Sequence, residues 1–101
     1  MVLYNKAVRD RIPEIIQASG QDCRFKALPD DEFRVELERK LREEVEEYEM
    51  GGNVMELVDI LEIVFRVAEL KGVSRRRLEG LRKKKKVERG GFENNLFLIE
   101  S

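Results

Sequence analysis

Two long amphipathic segments separated by one break, Gly51-Gly52-Asn53, constrain this chain more than any other feature of its sequence. Before the break, Leu37, Leu41, Val45 and Tyr48 fall on one apolar stripe when the chain is wound at about 100° per residue. After it, Leu57, Ile60, Leu61, Ile63, Val64, Val67 and Ala68 form a second stripe. Two such helices joined by a short turn make an antiparallel helical hairpin. Val54, Val58 and Phe65 lie off the second stripe, so that helix is apolar over more than half its circumference and needs cover on both sides. A homodimer with a helical bundle at its centre, or a tetramer, is the expected solution.

The same stretch carries two pairs of acids, Glu44 with Glu47 and Glu56 with Asp59, each pair about one helical turn apart. Glu44 lies about 60° and Glu47 about 120° from the middle of the first stripe, on the same flank. Glu56 falls inside the edge of the second stripe and Asp59 just beyond it. An acid at the rim of an apolar face is costly to desolvate unless something pairs with it. Solubility alone would place acids where Glu43 and Glu46 are, pointing away from the stripe. Four carboxylates facing one another across two helices form a site for a hard divalent cation, Mg²⁺ first and Mn²⁺ as the alternative. The competing reading is a solvated or salt-bridged acidic face, which a chain with 41% charged residues produces by chance.

Around the hairpin the punctuation is clear. Residues 1–8 read as an extended lead-in. A short helix follows within RDRIPEIIQASG, with Pro13 in its first turn, Ile12, Ile15 and Ile16 on its buried face and Gly20 as C-cap. Residues 21–28 alternate loosely as a short extended segment closed by Pro29. Asp30 or Asp31 is the expected N-cap of the first long helix, which runs to about Met50. Asn53 caps the second, which runs to about Lys71 and ends at Gly72. Ser74 caps a fourth helix, RRRLEGLRKKKKVER, ending at Gly90-Gly91. The tail reads as extended over 94–100 and could pair with 21–28. The fold class is therefore all-α, a single domain of about four helices over residues 1–101.

Composition narrows the function. Lys and Arg number 20 and Asp and Glu 21, a net charge of −1, so no global basic field for nucleic acid exists. Histidine is absent, which excludes His-based catalysis and zinc sites that need it. The single cysteine, Cys23, rules out an internal disulfide and fits a reducing, cytoplasmic setting, with the thiol as a small packing group. Lys6, Arg9, Asp10 and Arg11 interrupt any secretory leader, and no apolar run reaches the ~20 residues a membrane span needs. Dense mixed charge with scarce Gln points weakly to a thermophilic source.

The charges are segregated: residues 43–62 are acidic and 75–89 basic. Lys85 and Arg89 are four apart on one helix face leading into Gly90-Gly91, a layout that can bring two cations and a flexible backbone to one anion. Lys6, Arg9 and Arg11 offer the same chemistry in the lead-in. Acids that hold Mg²⁺ together with bases that neutralise phosphate are the composition of a nucleotide polyphosphate site. The alternatives are a non-enzymatic nucleic-acid-binding helical dimer using residues 75–89, and a purely structural dimer.

EEVEE followed by ELVD resembles the acidic signature of the all-α nucleoside triphosphate pyrophosphohydrolases, the MazG-like proteins and the related phosphoribosyl-ATP pyrophosphohydrolases. The opening YNKAVRDRIPEII and the closing KKVERGGF are similar to the ends of a short single-domain branch of that superfamily, so the resemblance spans nearly the whole chain. It implies an oligomeric helical fold, Mg²⁺ on Glu44, Glu47, Glu56 and Asp59, and hydrolysis of an α–β phosphoanhydride to a nucleoside monophosphate and pyrophosphate. Glu43 matches the leading acid of the signature and would orient or deprotonate the attacking water. Only eight residues separate Glu47 from Glu56, a shorter spacer than in typical MazG domains, which leaves open general nucleoside triphosphates or phosphoribosyl-ATP as substrate.

Overall fold

A computed structural model describes residues 2–101, leaving Met1 of the lead-in outside the described residues. Four helices follow in order: α1 Ile12–Ala18, α2 Asp30–Gly51, α3 Val54–Leu70 and α4 Arg75–Arg89. The fold is all-α. Neither 21–28 nor 94–100 forms a strand, and no backbone hydrogen bond joins them, so the expected pairing does not occur. A strand needs a partner to satisfy its backbone, and neither segment finds one among the described residues.

The α2–α3 hairpin is set by its turn. Gly52 adopts a left-handed conformation, φ 65°, and its N–H closes on the Tyr48 carbonyl at 2.7 Å. A residue with a Cβ avoids that conformation, which is why glycine stands there. Asn53 then caps α3, its side-chain oxygen accepting the Met55 N–H at 2.8 Å. At the other end of α2 the N-cap is Pro29. Asp30 and Asp31 fall inside the first turn, where their charge favours the helix dipole without a capping hydrogen bond. Ser74 caps α4 by accepting the Arg77 N–H, and the Arg75 guanidinium lies 4.1 Å over the Phe65 ring, pinning the start of α4 against α3.

The core is small. Leu37 on α2, Ile63 on α3 and Ala7 of the lead-in are its buried members, with Phe33, Leu41 and Val67 packed against them. The two stripes meet through Leu37, Leu41, Ile63 and Val67, with the lead-in drawn across the seam, whereas Val45, Leu57, Leu61 and Val64 of the same stripes are exposed. α1 departs from expectation: Ile12 and Ile16 are partly covered, but Ile15 is exposed. A seven-residue helix that touches the body through so little surface cannot bury a full face. α4 packs on α3 and not on α2. Leu57, Val58 and Leu61 on α3, and Phe92 and Leu96 to Ile99 in the tail, stay exposed. No described helix is long and apolar enough to cross a membrane.

Candidate functional site

The hairpin carries its acids on the turn-proximal half of both helices. Glu44 is 7% exposed, among the most buried residues of the chain, as its place at the rim of the stripe requires. Its ion-pair partner is Lys40, one turn earlier on α2, with Nζ 3.6 Å from Oε1, beyond hydrogen-bond length. Burial, the adjacent Glu47 and the facing Asp59 push the Glu44 carboxyl above its ordinary range, with Lys40 opposing them. On α3, Glu56 Oε2 is buried with no hydrogen-bond partner. A buried carboxylate oxygen without a donor is unfavourable unless a cation completes it. That orphaned oxygen has the chemistry of a ligand for a hard divalent ion.

The lead-in contributes the cations. Lys6 Nζ donates to Glu43 Oε1 at 2.9 Å, and Arg9 Nη2 donates to Asp59 Oδ1 at 2.6 Å. Glu43 therefore does not point away into solvent as the helical wheel implied. A wheel shows where a residue lies relative to the stripe of its own helix, not what another segment lays over it. The Lys6 hydrogen bond holds the Glu43 carboxyl below its ordinary range and raises Lys6 in turn. Glu47 is exposed on the same side of α2, close enough for its charge to be felt at both Glu44 and Lys6. No three described acids converge on a single point in this arrangement. Two of the acids in the region are engaged by lead-in cations instead.

Beside Asp59 a cleft of about 390 Å³ opens between the lead-in, α2 and α3. Arg9, Arg11, Lys40 and Arg66 line it together with the acids Asp10, Asp59, Glu62 and Glu69, and Phe33 is at its apolar wall. Arg11 also holds Glu14 of α1 at 2.9 Å. The structure thus brings Lys6, Arg9 and Arg11 to the acidic region, and adds two cations that sequence reasoning missed. Lys40 was legible as the residue four before Glu44. Arg66 had no comparable signal, because its arrival in the cleft depends on how the lead-in folds back.

Lys85 and Arg89 do share a face of α4, lining a shallow recess with Leu81 and Glu88. None of the four acids contributes to that recess, and no ion pair links α4 to an acid of α2 or α3 among the described residues. In one chain, the basic end of α4 and the acidic hairpin are separate features.

No family model matches the chain, and no solved structure matches it. Over 40 residues it is 55% identical to an uncharacterized protein of Mycolicibacterium smegmatis (strain ATCC 700084 / mc(2)155), a stretch that spans 40% of this chain and 41% of that relative.

Proposed function

We propose that the chain is a Mg²⁺-dependent nucleotide pyrophosphohydrolase that splits an α–β phosphoanhydride into a nucleoside monophosphate and pyrophosphate. The single observation that carries this reading is that Glu44 on α2 is almost fully buried and feels the charge of Asp59 on α3, whose cleft is lined by Arg9, Arg11, Lys40 and Arg66 as well as by acids. Glu44, Glu47, Glu56 and Asp59 are the residues that would hold the ion. When bound, Mg²⁺ supplies charge neutralisation and polarisation at the phosphates. Lys6, Arg9 and Arg11 bind and orient the polyphosphate, and the cleft beside Asp59 takes the rest of the nucleotide. Glu43, which Lys6 holds below the ordinary carboxylate range in the resting chain, is the acid that would orient or deprotonate the attacking water. Phosphoribosyl-ATP remains within the same substrate class. The exposed apolar residues of α3 and of the tail support a homodimer or homotetramer as the working form.

Incubation with a panel of nucleoside triphosphates and phosphoribosyl-ATP, with and without Mg²⁺, and detection of pyrophosphate tests the reading. Wild type should release pyrophosphate only with the metal, and Asp59→Asn should release almost none. Orthophosphate as the primary product, or full activity in Asp59→Asn, would overturn it.

A further inference from the structure

The lead-in has no regular secondary structure before α1, yet it is fixed at three points. Ala7 is buried between Leu37 and Ile63. On one side of it Lys6 reaches Glu43 on α2, and on the other Arg9 reaches Asp59 on α3. The segment crosses the hairpin as a strap, with Ala7 as its peg and one cation on each helix. Asp59 is one of the four acids assigned to the ion, and Glu43 directly precedes another.

Asp59 Oδ1, which accepts the Arg9 guanidinium at 2.6 Å, has one of its lone pairs committed, so a small cation arriving at that oxygen competes with the guanidinium for it. A divalent charge placed beside Arg9 and Lys6 is also repelled by them. Glu44 and Glu56 are different. Neither is held by the strap, and Glu56 has an oxygen with no partner at all. The strap thus neutralises Glu43 and Asp59, while Glu44 has only the Lys40 of its own helix and Glu56 keeps an oxygen without a partner.

We propose that the strap is an exchangeable counter-ion. Lys6 and Arg9 hold Glu43 and Asp59 in the resting chain, and with metal ion and nucleotide bound they would give up these acids for the phosphate oxygens. The ligand's identity rests on the pyrophosphohydrolase reading above. The strap then opposes metal binding alone and favours metal binding with nucleotide. Both effects come from the same two charges, which change partner rather than disappear.

Calorimetric titration of Mg²⁺ into the full chain, first alone and then with a non-hydrolysable α,β-methylene triphosphate analogue, separates the possibilities. Arg9→Gln and Lys6→Gln should each bind Mg²⁺ alone about two- to fivefold more tightly than wild type, the range expected from removing an ion pair this exposed. Both should bind the Mg²⁺–analogue pair more weakly than wild type. Arg9→Lys, which keeps the charge, should restore the wild-type order in both titrations, and circular dichroism checks that each variant is folded. Weaker binding in both titrations would mean that the strap only supports the fold. Unchanged affinity for Mg²⁺ alone would mean that the cations never compete with it. Either result overturns the inference while leaving the pyrophosphohydrolase reading intact. A wild type with no affinity for Mg²⁺ removes both.

Discussion

Lys40 and Glu44 stand one helical turn apart on α2, with Lys40 Nζ 3.6 Å from Glu44 Oε1, and both side chains are largely covered. The lysine offsets part of the charge that burial penalises but does not complete it. Glu44 therefore keeps a carboxyl that is reluctant to ionise in the resting protein.

That reluctance has a pH signature. The folded pKa of Glu44 lies above its unfolded value, so its ionised form costs stability at neutral pH. The cost is relieved as pH falls through the raised value and is gone below the ordinary value of 4.5. Glu44→Gln removes the penalty. In chelator, the variant should melt higher than wild type at neutral pH, and the two should converge as pH approaches 4.5. Glu43 runs the other way, contributing above 4.5 and losing that contribution as pH falls through its lowered value, which adds a loss at the acid end common to both proteins. A melting difference that does not vary with pH would show that Glu44 carries no such penalty.

The cations can be ranked by kinetics. Lys6→Ala and Arg9→Ala should each lower kcat/KM by about 30- to 150-fold, the worth of one charge-assisted contact of roughly 2–3 kcal/mol. Lys85→Ala and Arg89→Ala should cost distinctly less, because their recess includes none of the acids. Equal losses in the two groups would place α4 at the substrate as well, through a route that a single chain does not contain.

The turn offers a paired test. At Gly52 a Cβ would meet nothing within 4 Å, so the cost of Gly52→Ala is purely that of its left-handed backbone, about 1–2 kcal/mol. For a domain of this size a loss of 1 kcal/mol lowers Tm by roughly 4–8 °C. Gly51 is helical, and a Cβ there would sit an ordinary 4.0 Å from Glu56 Oε1. Gly51→Ala should be neutral or stabilising by up to about 1 kcal/mol. Similar melting temperatures for the two variants would refute the backbone argument.

Self-association is the last expectation. Leu61 is 53% exposed in the middle of an apolar helix, beside Leu57 and Val58. Light scattering of the purified protein should give at least twice the chain mass of 11.9 kDa, and Leu61→Glu should shift it toward the monomer. A wild type that elutes as a monomer would mean that this face stays open to water.

The parts of the molecule governed by local rules were legible in the sequence. The hairpin, its caps at Asn53 and Ser74 and the glycine stops follow from periodicity and turn chemistry, and they appear where expected. Glu44 at the rim was legible for the same reason. What escaped was the placement of residues 2–11, because an irregular segment has no period to read. Its contacts with Glu43 and Asp59 lie 37 and 50 residues away in sequence. The isolation of α4 escaped too: nothing in RRRLEGLRKKKKVER states which neighbour the helix will touch. Asp30 and Asp31 missed the cap by one and two positions, since Pro29 already supplies the extended conformation that precedes a helix.

Because only Gly52 and Asn53 lie between α2 and α3, the hairpin is joined covalently at one end and held only by packing and the lead-in beyond it. Its two arms behave like the tines of a fork joined at the stem: thermal splaying is smallest near the join and grows toward the tips. Glu44, Glu47, Glu56 and Asp59 all sit within about two helical turns of the stem. Their separation is governed by backbone stiffness rather than by the quality of the core. Substitutions that loosen Phe33 or Val67, toward the tips, should soften the molecule while leaving the gap between the acids nearly constant.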